Sequence, residues 1–142
     1  MEKGIYLIAN KETGALYVWK NDKFFSEEEI KRYKENRKTR EKDELLLPVF
    51  NEAWIALQYI KANKIKDGSV CQVLNQNAWS EFIEIAKKQE VQRAVLNRCI
   101  LNVVHECFLM IYDLDKINNF KKTETMFKNV DLVCGGYDKE KL

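Results

Sequence analysis

The sequence predicts one α+β domain over residues 1–142, in which an N-terminal antiparallel β-hairpin or three-stranded meander precedes a mainly helical body. Two patterns support this fold class. Residues 4–9 and 15–20 are rich in β-branched and aromatic side chains, and the turn between them ends at Gly14, which can supply a positive φ. Between residues 49 and 112, apolar side chains recur at helical spacing.

Charge and cysteine content exclude several classes of protein. The chain has 24 basic and 22 acidic residues, so no overall field attracts nucleic acid. Its four cysteines form no CxxC pair and there is one histidine, which favours reduced thiols over a disulfide framework or a zinc site. No apolar segment approaches the roughly 20 residues of a membrane helix, and no signal peptide is recognisable. We expect a cytoplasmic protein without a cofactor or bound metal.

The hairpin region, residues 1–25, is apolar on both faces of its first strand. Alternation places Tyr6 and Ile8 on one face and Ile5 and Leu7 on the other. A strand with two apolar faces is expected to be covered on both sides, by helices or by a second subunit.

The charged helix, residues 26–45, begins at a capping box formed by Ser26 and Glu29. Residues 31–42 contain seven basic and two acidic side chains, a composition that can follow a phosphate backbone. The flanking acids and the Glu–Lys pairs spaced by four also fit a solvated connector. If this helix binds a nucleic acid or a nucleoprotein, the contacting residues are Lys31, Arg32, Lys34, Arg37, Lys38 and Arg40.

The helical core, residues 49–112, includes a helix over 49–63, a second helix with Trp79 in its apolar stripe, and a long central helix over 90–112. The tail, residues 113–142, carries a possible short helix and a possible last strand. Polar side chains on the central helix could line a pocket for an anionic ligand, or could form its solvent-facing edge. These side chains are Arg93, Arg98, Asn102 and His105.

The hairpin also carries a motif. Gly4-Ile5-Tyr6 is followed, after ten residues, by Tyr17-Val18-Trp19. This spacing resembles the start of the GIY-YIG endonucleases, although Trp19 stands where the family has glycine. The resemblance implies an active site on a small mixed sheet, with Tyr6 and Tyr17 assisting chemistry at a phosphodiester.

The same resemblance implies an arginine on a following helix and a metal-binding glutamate on a further one. Arg32, Arg37 and Arg40 are available for the first role. Glu52, Glu81 and Glu84 are available for the second, and no pattern selects among them. If the chain is not a nuclease, both tyrosine rings should instead serve as packing residues of the hairpin.

The sequence favours a small non-enzymatic intracellular binding protein, such as a phage or mobile-element regulator or inhibitor, with no catalytic residues assigned. Its partner would be a nucleic acid or nucleoprotein, contacted by the charged helix and the aromatic hairpin. The alternatives are sequestration or sensing of a nucleotide-like anion on helix 90–112, and a GIY-YIG-like endonuclease. Apolar side chains such as Phe50 and Trp54 are more numerous than we expect one thin domain to cover, which predicts a homodimer.

Overall fold

The computed structural model describes residues 3–20, 23–24, 45–98, 110–131 and 137. Within these residues there are seven β-strands, three α-helices and one 3₁₀ turn at Leu114–Lys116. The strands are β1 (Ile5–Asn10), β2 (Trp19–Lys20), β3 (Lys23–Phe24), β4 (Leu45–Phe50), β5 (Gly68–Val73), β6 (Arg93–Leu96) and β7 (Met110–Asp113). The helices are α1 (Ala53–Ala62), α2 (Gln76–Lys88) and α3 (Phe120–Lys128).

The five longer strands form a mixed sheet in the order β5-β1-β4-β6-β7. Strand β1 is antiparallel to both β4 and β5, β4 and β6 are parallel, and β7 is antiparallel to β6. The short strands β2 and β3 pair with each other, and β2 pairs with the first residues of β4. Because β6 occupies one edge of β4, strands β1 and β2 share its other edge.

Helices cover both faces of this sheet. Helix α1 connects β4 to β5, and α2 connects β5 to β6. On one face, which we call the α2/α3 face, Ile5, Leu7 and the odd-numbered residues of β4 pack with side chains of α2 and α3. On the other, the α1 face, Tyr6, Ile8 and Phe50 pack with α1. The chain therefore forms three layers, helix–sheet–helix, and the expectation that β1 is covered on both sides is confirmed.

The turn after β1 is built by Asn10 and Gly14. The Asn10 side-chain oxygen accepts hydrogen bonds from the amides of Glu12 and Thr13, at 2.8 and 3.0 Å. Gly14 has a φ of 74° and its amide donates to the Asn10 carbonyl at 3.0 Å. The positive φ expected of Gly14 is confirmed.

The predicted fold class is wrong, because the body of the chain is not mainly helical. Strands β5 and β6 and most of β7 lie in the part predicted as the helical core. Strand β4 spans the break between the two predicted helices 26–45 and 49–63, and α1 begins only at Ala53, since Val49 and Phe50 belong to β4. The predicted central helix 90–112 is replaced at its two ends by β6 and β7. A run that is apolar on every side fits a strand buried between two helical layers as well as it fits a buried helix.

The sequence argument for a homodimer also fails in part, since Phe50 and Trp54 are 0% and 5% exposed within one copy of the chain. Helix α2 does carry its predicted apolar stripe, with Trp79, Ile83 and Ala86 buried. The charged helix 26–45 lies, apart from its last residue, outside the described residues.

Candidate functional site

The candidate site lies where β4 and β6 end side by side. These two strands are parallel neighbours, and the chain leaves them in opposite directions: β4 leads through α1 to β5, whereas β6 leads to β7 on the other side. In open α/β sheets, the crevice beyond the carboxyl ends of two such strands is the usual place for a ligand. The residues that follow the strands here are Asn51, Asn97 and Arg98.

Asn51 and Asn97 fix the two strand ends to each other. The Asn97 amide donates to the Val49 carbonyl at 2.8 Å, and the Asn51 amide donates to the Asn97 side-chain oxygen at 3.1 Å. In return, the Asn97 side-chain nitrogen donates to Oδ1 of Asn51 at 3.0 Å. Asn97 has a φ of 51°, a left-handed conformation that asparagine tolerates better than most residues.

Asn51 also holds the end of α3 against the sheet. Its Nδ2 donates to the carbonyls of Phe127 and Val130, at 2.9 and 2.7 Å. The last carbonyls of a helix lack intrahelical donors, so a buried amide is a suitable partner for them. We call Asn51 and Asn97 the asparagine clamp, and infer that its role is structural because its amide groups are engaged within the protein.

Arg98 lies beside two tyrosines on the α1 face. Arg98 is only 3% exposed, and its carbonyl accepts a hydrogen bond from the Tyr137 hydroxyl. Burial raises the pKa of Tyr59 and that of Tyr137 above the ordinary phenol value, while the nearby Arg98 charge acts to lower both. Both phenols therefore stay neutral at ordinary pH and can donate hydrogen bonds.

Aromatic rings complete this region. Trp54 and Tyr137 pack edge to face, with ring centroids 6.3 Å apart and planes at 89°. Phe50 and Tyr59 are tilted by 55° at 5.2 Å. We call Trp54, Tyr59, Arg98 and Tyr137 the Arg98 cluster. A permanently charged guanidinium near neutral phenols and aromatic rings can recognise a phosphate or a carboxylate, and offers stacking surface for a ring.

Only part of the predicted ligand set is brought to this place. Arg93 is the first residue of β6, opposite Asp113 of β7, whereas Arg98 lies two residues beyond the last residue of β6, Leu96. A strand separates these two arginines at about 3.3 Å per residue, against about 1.5 Å per residue along the predicted helix. Asn102 and His105 lie outside the described residues, as do Lys31, Arg32, Lys34, Arg37, Lys38 and Arg40.

Sequence reasoning missed the asparagine clamp and the tyrosines of the Arg98 cluster. A usable signal existed for the clamp, because Asn51 directly follows the apolar run LLLPVF and Asn97 follows AVL. Polar residues at the ends of buried parallel strands commonly mark a site. No local signal points to Tyr59 or Tyr137, since their position near Arg98 depends on the folding of distant segments.

The two motif tyrosines pack on the α1 face. Tyr6 is 6% exposed, and the half-buried Tyr17 donates its hydroxyl to the Lys66 carbonyl. Of the candidate glutamates, Glu52 lies at the start of α1, and Glu81 and Glu84 lie on exposed positions of α2. Within the described residues, no group of three or more His, Cys, Asp or Glu side chains is placed to hold a metal ion.

Comparisons of this chain with protein-family models, with curated proteins and with solved structures found no match. No relative therefore assigns a role to the Arg98 cluster, and its geometry has to support any functional proposal. In the part of the chain that the structure describes, no helix is both long enough and apolar enough to cross a membrane.

Proposed function

We propose that this chain is a small binding protein that holds the anionic group of a nucleotide-like ligand against Arg98. The observation that supports the proposal is the position of Arg98, a permanently charged residue that is 3% exposed at the carboxyl ends of β4 and β6. The guanidinium would bind a phosphate through its paired N–H donors, and the rings of the cluster would contact the base.

The environment of Arg98 favours an anion for two physical reasons. The attraction between opposite charges is stronger in a low-dielectric interior than in water, so a buried guanidinium binds a phosphate more tightly than an exposed one. The phenols of Tyr59 and Tyr137 stay protonated because burial raises their pKa. Neutral phenols place no negative charge beside Arg98 that would repel the ligand.

The test is calorimetric titration of the protein with inorganic phosphate and with nucleoside mono- and triphosphates. Arg98→Lys keeps the charge but removes the planar fork, so the dissociation constant should rise by about tenfold or more. Arg93→Lys is the matched control, because Arg93 lies at the opposite end of β6. Tyr137→Phe provides a second variant: it keeps the ring but removes the hydroxyl that donates to the Arg98 carbonyl, so it should weaken binding if this hydrogen bond positions Arg98.

Two results would contradict this proposal. One is that no compound of the panel binds the wild type. The other is equal affinity of Arg98→Lys and Arg93→Lys, both checked for folding by circular dichroism. Either result would leave Arg98 as a structural residue.

A nucleic-acid or nucleoprotein partner for the charged helix remains a second proposal, supported by the seven basic side chains of residues 31–42. Reversing Arg37, Lys38 and Arg40 to Glu should weaken binding on every sequence and flatten its salt dependence. If the triple variant kept the wild-type affinity and salt dependence, residues 31–42 would be a connector rather than a binding surface. We also propose a cytoplasmic location, in which a free thiol such as that of Cys71 stays reduced.

The nuclease hypothesis has its own assay. Wild-type protein is incubated with DNA or RNA and Mg²⁺ or Mn²⁺, beside a variant carrying both Tyr6→Phe and Tyr17→Phe. If the chain is a binding protein, neither the wild type nor the double variant should cleave the DNA or RNA. Metal-dependent cleavage by the wild type that the double change abolishes would establish the nuclease instead.

A further inference from the structure

Strand β5 forms one edge of the sheet. It pairs with β1 along six residues, from Gly68 opposite Asn10 to Val73 opposite Ile5, and with no other strand of the described part. Its residues 68–71 are partly exposed and Gln72 is exposed, whereas residues 5–9 of β1 are buried.

The hydrogen-bond pattern shows which backbone groups of β5 point outwards. The Lys11 amide donates to the Asp67 carbonyl at 2.8 Å, which defines a hydrogen-bonded pair just before the ladder begins. Such pairs alternate along antiparallel strands, so Ser69, Cys71 and Val73 also exchange hydrogen bonds with β1. The N–H and C=O groups of Gly68, Val70 and Gln72 therefore point away from β1.

This edge lacks the features that keep an edge strand from pairing with another chain. Residues 68–74 read GSVCQVL and contain no charge and no proline. The strand is paired in regular register throughout, and the residue after it, Leu74, is 69% exposed. An uncharged, regular edge of this kind is suited to accept an added strand.

We propose that a second copy of this chain pairs its β5 with this β5, antiparallel, about a twofold axis at Cys71. The outward positions 68, 70, 72 and 74 are symmetric about residue 71, so the same register serves both copies. Val70 pairs with Gln72 of the second copy, and Gly68 pairs with Leu74 of the second copy. No like charges meet across this interface, and a self-complementary twofold contact closes a dimer.

The side chains agree with this register. Gly68 has no room for a side chain of its own, because Ile65 and Tyr17 fill the α1 face at its position, where a Cβ would come within 2.8 Å of Ile65 and 3.1 Å of Tyr17. Leu74 shares the parity of Gly68 and Val70, so Leu74 of the second copy covers the half-buried Ile65. The proposed interface of the dimer is therefore a sheet edge. The sequence had predicted a dimer from the aromatic side chains of residues 1–25 and α1 instead.

The first test is amide hydrogen exchange with residue resolution, at low and at high protein concentration. The outward amides of Val70 and Gln72 should exchange about tenfold or more slowly when the protein is concentrated. The inward amides of Ser69 and Cys71 are bonded to β1 in either state, so their rates should not change. Equal concentration dependence of all four amides would overturn the proposal.

The second test compares Gln72→Pro with Gln72→Ala by sedimentation equilibrium. Both changes remove the same side chain, but only proline removes the outward N–H. The dimer dissociation constant should therefore be at least about tenfold higher for Gln72→Pro than for Gln72→Ala. Equal values would place the interface elsewhere and overturn the proposal.

A chemical cross-link checks the register on wild-type protein. Opposed residues of a non-hydrogen-bonded antiparallel pair have Cα atoms about 4.5 Å apart, which a disulfide can span. Mild oxidation should therefore give a dimer whose peptides join Cys71 to Cys71 of the second copy. A purified wild-type chain that stays monomeric at every concentration would overturn the proposal and leave the edge to a strand of a different protein.

Discussion

The two faces of the sheet differ in what they bury. The α2/α3 face is mainly aliphatic, with Trp79, Phe120 and Phe127 as its fully or nearly buried rings. The α1 face is mainly aromatic and contains Tyr6, Phe50, Trp54 and Tyr59, with Tyr17 and Tyr137 packed against them. Arg98 lies on the second side as well. One sheet therefore carries a mainly aliphatic core on one face and a mainly aromatic core beside a buried guanidinium on the other.

Hydrogen bonds on the α2/α3 face tie segments together rather than forming a cluster. Gln89 exchanges two hydrogen bonds with the backbone of Leu16, at 2.9 and 3.1 Å. Gln76 accepts from the Phe120 amide at 2.8 Å and donates to the Asn118 carbonyl at 2.8 Å. These bonds join neutral groups, and they link residues that lie 42 to 73 positions apart in the sequence. The α2/α3 face therefore joins distant segments through neutral hydrogen bonds, whereas the α1 face places two phenols beside the charge of Arg98.

The largest expected effect comes from removing the principal side chain of the α2/α3 face. Trp79 is 0% exposed and its Nε1 donates to the Ile117 carbonyl at 2.5 Å. Trp79→Ala should lower the free energy of unfolding by about 3–5 kcal/mol, through lost apolar burial and a cavity. Urea denaturation measures this change, and Ser80→Ala on the exposed side of α2 is the control. A loss near that of Ser80→Ala would contradict a stabilising role for this face.

The asparagine clamp joins the sheet to α3 and should have the next largest effect. Asn51→Ala removes the donor that the carbonyls of Phe127 and Val130 share and the acceptor of the Asn97 side-chain Nδ2. We expect a loss of about 2–4 kcal/mol in the free energy of unfolding, because unsatisfied buried polar groups are expensive.

Asn63→Ala is a matched control for the clamp. In the wild type, the Asn63 Nδ2 donates to the Tyr59 carbonyl at 3.0 Å, but Asn63 is an exposed residue at the end of α1. The control should lose much less stability in the same urea experiment. Equal losses in the two variants would show that burial of the clamp contributes little.

The sequence predicted local features better than nonlocal ones. The turn at Gly14 and the stripe of α2 depend on neighbouring residues, and both are present. The strand β4 was missed because LLLPVF, buried on both faces, has no alternation to distinguish it from a helix. For the clamp the sequence offered only the two asparagines that follow apolar runs; their pairing is nonlocal, since Asn51 and Asn97 are 46 residues apart and meet through the parallel pairing of β4 with β6.

Removing the hydroxyls of Tyr59 and Tyr137 on the α1 face should change the free energy of unfolding least at neutral pH and more in alkali. Burial raises the pKa of Tyr59 and Tyr137 above the value of 10.0 expected for an exposed phenol. Above pH 10 the unfolded chain loses these protons while the folded chain keeps them, so the unfolded state binds fewer protons. Stability is then fully present below about pH 10 and decreases as the pH rises further.

Changing both residues, Tyr59→Phe and Tyr137→Phe, removes these two titrations. The double variant should lose about 0.5–1.5 kcal/mol at neutral pH for each hydroxyl hydrogen bond, yet lose stability less steeply than the wild type above pH 10. Tyr112→Phe is the control on the α2/α3 face: burial raises the pKa of Tyr112 too, but its ring is only half-buried, so most of the alkaline slope should remain. Urea denaturation on both sides of pH 10 measures the slopes. If the double variant lost stability above pH 10 as steeply as the wild type, the hydroxyls of Tyr59 and Tyr137 would not be shielded from solvent in the folded chain. The α1 face would then not differ from the α2/α3 face in its buried phenols.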